Sequence, residues 1–294
     1  MKSVLDVAIP ACAILVMTVV GLDVSRAELR RVLSRPRLLV AGLVGPLVLL
    51  PPIALVVLRF VPMPAEIAAG MLLLAVCPVG GISNVYSYLA RAATALSVTL
   101  TAASCVAAVV TMPLLTWAFE LVLGRPFGFQ APIGTLAAQV FGMLVLPVAL
   151  GMTVRARAPE FAARHEAGMR KFALAALALL LGFILWSEWT RFIEHVAVTA
   201  AASALFVLLA MAAGAVVAQA AGADARERFT LSVEFATRNS AIATVVAITF
   251  LGDTRFAVFA TTYFFTEAAI AGVAVLAFRR RQAAQVGRSD SGLR

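Results

Sequence analysis

Near residues 38 to 59 the chain reads LLVAGLVGPLVLLPPIALVVLR, an apolar run whose only charge is the arginine that ends it. About 20 such residues are what a helix needs to cross roughly 30 Å of hydrocarbon. Comparable stretches recur near 4 to 24, 65 to 89, 93 to 122, 131 to 154, 169 to 189, 195 to 220, 228 to 251 and 255 to 278, each bounded by charges or by Pro and Gly. Of the 294 residues 62% are hydrophobic and only 13% charged, with a mean hydropathy of +0.99, far from the usage of a soluble domain. The expected fold class is an all-α polytopic membrane protein with nine transmembrane helices, its two termini on opposite sides of the bilayer.

The net charge of +9 comes mostly from arginines at segment ends. One set of connections holds 18 Lys and Arg residues, among them Arg26, Arg31, Arg91, Arg226, Arg228, Arg279 and Arg294; the other holds five, Lys2, Arg59, Arg125, Arg191 and Arg255. This asymmetry places the C-terminus in the cytoplasm and the N-terminus outside the cell membrane. No basic run is interleaved with aromatics, so nucleic acid is not an expected partner and the lipid bilayer is. Cys12, Cys77 and Cys105 lie singly in apolar runs, which supports neither a disulfide framework nor a zinc site. The first apolar run follows Lys2 but is long, lacks a convincing cleavage site and leads into SRAELRRVLSRPR, as a retained helix does. Residues 1 to 280 therefore read as one membrane domain and 281 to 294 as a disordered cytoplasmic tail.

Two of the nine segments carry polar and helix-weakening residues at their centres. In CPVGGISNVYSYLAR, residues 77 to 91, Pro78 removes a backbone donor and Gly80 and Gly81 loosen the helix, with Ser83 and Asn84 directly after. Groups freed by a break at membrane depth are tolerated only where protein or a wet cavity receives them. In VEFATRNSAIATVV, residues 233 to 246, Glu234 costs about 3 kcal/mol at mid-bilayer and so needs a partner or a task. Arg238 is at i+4, where the two side chains can meet and each can offset part of the other's cost.

Between these segments Ser97, Thr101 and Ser104 share one helical face, a packing seam when taken alone. Beside Asn84 and Glu234 they make a set of hard neutral oxygens with one carboxylate, suited to an alkali cation rather than to a thiolate-loving metal. A pair of interrupted segments in corresponding halves points to a secondary transporter with an inverted repeat, two discontinuous crossing helices and a site near the midplane.

CPVGGISNVYSYLARAATALSVTLT resembles the signature region of the bile acid:sodium symporter family, and EFATRNSAIA resembles its second signature, a glutamate followed five residues later by asparagine. GLDVSRAELRRVLSRPR is similar to the family's first cytoplasmic connection. The resemblance implies an inverted-repeat carrier of panel and core domains, here in a nine-helix form, and no enzymatic activity. It implies a first sodium site at Ser83, Asn84, Ser97, Thr101 and Glu234. The second site departs from the pattern: carbonyls at Phe235 and Thr237 are matched, but the two glutamine positions read Pro46 and Arg238, and a guanidinium offers no acceptor atom. The expected cofactor is thus one Na+, with the arginine standing in the second cation's place. Gly81, Arg238, Asn239 and Glu267 fall at substrate positions, implying a small organic anion as cargo. Proton coupling through Glu234 and an arsenite efflux carrier using Cys77 are the rival readings in transport. An intramembrane acid and base pair of Glu234 and Glu267 is the rival from enzymes, and it lacks any accompanying nucleophile or His set.

Overall fold

A computed structural model describes residues 2–23, 30, 34–123, 134, 138, 141–187, 189–250 and 255–291. Arg26 and Arg31 of the first basic connection, Arg125, the start of the 131 to 154 stretch and Arg294 lie outside the described residues. In chain order the helices are α1 (Lys2–Asp23), α2 (Pro36–Phe60), α3 (Ala65–Val76), α4 (Ile82–Leu89) and α5 (Thr94–Leu123). A π-helical turn (Phe141–Val145) leads into α6 (Leu146–Arg157), followed by α7 (Pro159–Ser187), α8 (Trp189–Ala220), α9 (Ala225–Ala236), α10 (Ser240–Phe250) and α11 (Arg255–Ser291). Among the described residues the only β pairing is an isolated antiparallel bridge between Val79 and Arg238.

Among the described residues four helices, α2, α5, α8 and α11, are long and apolar enough to cross a membrane. Their outward faces are greasy: Val40, Val44 and Val48 on α2 and Val106, Val110 and Leu114 on α5 stand exposed at intervals of one helical turn. The interior is where polarity gathers, since Ser83, Ser97, Thr101 and Glu234 have no exposed surface at all. A water-soluble protein shows the opposite arrangement, and an apolar exterior around a polar interior is what a lipid solvent selects. The chain is a multi-pass membrane protein.

Small residues bring helices close. Gly21 of α1 faces the Val148 carbonyl of α6, and Gly151 of α6 faces the Thr18 carbonyl of α1, so a side chain at either glycine would collide with the other helix's backbone. In lipid, where apolar burial gives no net drive between helices, this close backbone contact is what holds a pair together. α8 lies along α9, and α11 lies against α3 and α8. The helix α9 starts with a capping box: the Asp224 carboxylate accepts from the amides of Arg226 and Glu227, and Glu227 returns the bond to the Asp224 amide.

The interruptions expected in the 65 to 89 and 228 to 251 segments are present, as the gaps between α3 and α4 and between α9 and α10. At the chain's end α11 continues through the residues assigned to the tail as far as Ser291. The sequence RRRQAAQV contains good helix formers and no Pro or Gly, so a helix already formed propagates through it at little cost.

Candidate functional site

The two gaps cross. α3 ends at Val76 because Pro78 follows Cys77, and Val79 in the first gap pairs antiparallel with Arg238 in the second. Gly80 donates its amide to the Thr237 carbonyl at 3.2 Å, and Asn239 donates its amide to the Pro78 carbonyl at 2.9 Å. A Cβ on Gly80 would stand 2.9 Å from the Arg238 carbonyl oxygen, so only glycine permits this approach.

Other freed groups also find partners. The Val79 amide donates to the Ser104 hydroxyl at 3.1 Å, and that hydroxyl donates to the Thr101 carbonyl at 2.8 Å. The Tyr263 hydroxyl of α11 donates to the Ala236 carbonyl. Asn239 caps α10, its side-chain oxygen accepting from the Ile242 amide at 3.1 Å. The crossing is therefore a piece of irregular backbone whose freed groups find hydrogen-bond partners within the protein.

Beside it, five side chains converge from three elements. The Ser97 hydroxyl donates to the Asn84 side-chain oxygen at 2.8 Å and also reaches the Glu234 carboxylate. Thr101 donates to the same Asn84 oxygen at 3.2 Å, and the hydroxyls of Ser83 and Thr101 lie 3.3 Å apart. Ser83, Asn84, Ser97, Thr101 and Glu234 are all buried. One carboxylate oxygen of Glu234, Oε2, is buried without a hydrogen-bond partner among the described residues. Leaving an ionised oxygen so costs several kcal/mol, and a cation among these hard oxygens removes that cost. Ser104 shares the helical face of Ser97 and Thr101, yet it serves the backbone of the break.

Arg238 does not meet the Glu234 carboxylate. α9 ends at Ala236, so the extended residues that follow carry Arg238 out of helical i+4 register. Its guanidinium lies instead on backbone oxygens, Nη2 at 3.3 Å from the Glu234 carbonyl and Nε at 3.3 Å from its neighbour Thr237's carbonyl. It is 5% exposed and shares a small cavity with Pro46, Cys77 and Ser104. The Phe235 ring is buried against Gly45 of α2.

The substrate candidates are not gathered in one place. Asn239 reaches towards α1, its amide nitrogen 3.7 Å from Met17 Sδ, and Gly81 faces Val20 of the same helix. Glu267 is held elsewhere in the crossing: its carboxylate accepts from the Thr237 hydroxyl at 2.8 Å and from the Tyr86 hydroxyl at 3.4 Å, and it is 2% exposed. Tyr86 and Tyr263 are contributors that motif reading passed over, and Ser104, expected among the cation's oxygens, serves the backbone instead. Tyrosine is rare here, three in the chain, and one inside an apolar segment is the signal that finds such a residue.

The family model described as the Sodium Bile acid symporter family matches residues 10–219. The chain belongs to this family. Within the sodium bile acid symporter family, the Arabidopsis thaliana protein named "Probable sodium/metabolite cotransporter BASS1, chloroplastic" is 28% identical over 233 residues, 79% of this chain and 57% of that one. The Bacillus subtilis "Uncharacterized sodium-dependent transporter YocS" is 28% identical over 141 residues, 48% of this chain and 42% of the relative. The human "P3 protein" is 23% identical over 226 residues, 76% of this chain and 46% of the relative. The chain thus spans about half the length of these curated relatives. The family and the first two relatives are described as transporters, not enzymes.

Proposed function

We propose that this protein is a secondary active transporter that couples one sodium ion to uptake of a small organic anion across the cell membrane. Nine spans in an inverted repeat, N-terminus outside and C-terminus cytoplasmic, form panel and core bodies that rock about the crossing. The observation that carries this reading is the buried Glu234 carboxylate, with an unpartnered oxygen among the side-chain oxygens of Ser83, Asn84, Ser97 and Thr101. Relatives named as a sodium/metabolite cotransporter and a sodium-dependent transporter suggest the ion.

Arg238 takes the role of a second, tethered cation. Its guanidinium already donates to the carbonyl of Thr237, one of the oxygens a second sodium would use, and a permanent positive charge repels another cation. Being covalently attached, it contributes charge at the crossing in every state without being carried across. Gly81 and Asn239 on the α1 side, with Arg238 and Glu267, shape the environment of the cargo.

Purified protein melted in sodium and in potassium, each with a set of small carboxylates, tests this directly. Sodium-specific stabilisation that increases with one carboxylate is the expected result, because ligands of the folded state raise Tm by mass action. Equal melting in both salts, with and without carboxylates, overturns the reading.

A further inference from the structure

Away from the crossing, a cleft opens between the start of α9, the far end of α11 and the turn after α4. It is lined by Arg91, Arg226, Arg228, Arg279 and Arg281, with no acidic side chain among its walls. None of the five arginines forms an ion pair among the described residues; the nearest polar contact is Arg228 Nη1 to Gln219 Oε1 at 3.5 Å. The acids next to them in sequence are engaged elsewhere, Asp224 in capping α9 and Glu227 in the capping box and an ion pair with Arg35. The cleft's floor is apolar: Phe229 and Phe278 stack with centroids 4.4 Å apart.

Arg91 supplies a second, independent observation. It has φ +53°, the sole non-glycine residue with positive φ among the described ones. Its amide donates to the Tyr88 carbonyl at 3.0 Å and the next amide, of Ala92, donates to Ser87 at 2.9 Å, the helix-ending pattern whose left-handed position glycine fills at least cost. An arginine held there against its backbone preference points to a use for its side chain, and Arg91 lines the cleft.

We propose that this cleft binds a phosphate-bearing anion at the membrane surface. Arginines from three chain segments line it, and guanidinium groups suit the several oxygens of a phosphate, which they can bind bidentately. The stacked phenylalanines offer an apolar wall to whatever carries that phosphate. Basic pockets between membrane helices on the cytoplasmic side are how anionic headgroups are recognised. Topology alone demands only a number of positive charges on one side and is indifferent to whether they share a cleft. Arg280 makes the distinction testable, because it lies between Arg279 and Arg281 in sequence and does not line the cleft. The assignment is independent of any cargo or coupling ion.

The experiment melts the purified full chain in detergent with added short-chain phosphatidylglycerol, short-chain phosphatidylcholine, or inorganic phosphate against chloride at equal ionic strength. Phosphatidylglycerol is expected to raise Tm and phosphatidylcholine to leave it unchanged. A matching rise with inorganic phosphate identifies the free anion as a sufficient ligand, and a rise with the lipid alone identifies the headgroup. Arg279→Gln with Arg281→Gln should weaken the midpoint of stabilisation roughly tenfold or more, while Arg280→Gln leaves it in place. Arg91→Gly, which relaxes the left-handed residue and so keeps the turn, should weaken it as well. Stabilisation by neither phosphate probe, equal stabilisation by phosphatidylcholine, or an Arg280→Gln effect as large as that of Arg279→Gln overturns the assignment.

Discussion

The amide of Gly80 donates to the carbonyl of Thr237 across 3.2 Å, tying the break of one helix to the break of another far along the chain. That bond exists because residue 80 has no Cβ, which would otherwise press on the Arg238 carbonyl at 2.9 Å. Backbone cannot step aside as a flexible side chain does, so Gly80→Ala must separate the two breaks. A loss of about 1 to 3 kcal/mol is expected from overpacking of this kind. Thermal unfolding in detergent measures it, and transport should fall further than stability because the oxygens around Glu234 are positioned by the same backbone.

Glu234→Gln tests the cluster itself. The amide keeps an acceptor for the Ser97 hydroxyl and removes the charge that a cation answers. Sodium-dependent stabilisation should therefore vanish while the protein still inserts and folds, and in sodium-free buffer the variant should melt at or above the wild-type temperature because no unpaired carboxylate is left buried. Melting curves of both proteins across a sodium titration check this. Ser97→Ala should act in the same direction but weaken sodium affinity only about tenfold, since one neutral ligand is lost.

How much of this was legible in the sequence depended on whether a feature was local. Pro78 and Gly80 announce a break because each changes its own backbone, and Ser97 and Thr101 share a face by helical spacing alone. The pairings of Tyr86 with Glu267, of Tyr263 with Ala236 and of Ser104 with Val79 join distant or unrelated positions, and no periodicity encodes them. Arg238 was misread for a specific reason. The i+4 rule holds only on a continuous helix, and α9 ends at Ala236, before the arginine. The extension of α11 to Ser291 was hidden by composition: a polar, charged stretch reads as disorder even when most of its residues tolerate a helix, Gly287 being the exception.

Arg238→Gln should restore a second cation to the crossing. With the guanidinium gone, the Thr237 carbonyl regains a free lone pair and the new side chain brings an acceptor of its own. The dependence of uptake on sodium should change from hyperbolic to sigmoidal, and the sodium-to-cargo ratio in proteoliposomes should rise from one towards two. A ratio of two in the unaltered protein would show that the arginine does not occupy a cation's place.

Glu267 provides the last test, because its charge would oppose the anionic cargo proposed above. Its carboxylate is secured by the hydroxyls of Thr237 and Tyr86, and glutamine can accept from one and donate to the other once that hydroxyl rotates. Glu267→Gln should therefore preserve the fold, with Tm within a few degrees of wild type. Removing a like charge several ångströms from a bound anion in this setting is worth about 1 kcal/mol, roughly a fivefold drop in KM. Sodium affinity at the Glu234 cluster should change much less, since Glu267 shares no ligand with it. An increase in KM would instead assign Glu267 to a hydrogen-bond donor on the cargo, and a panel of carboxylates with and without an amino group would then show which cargo loses the most.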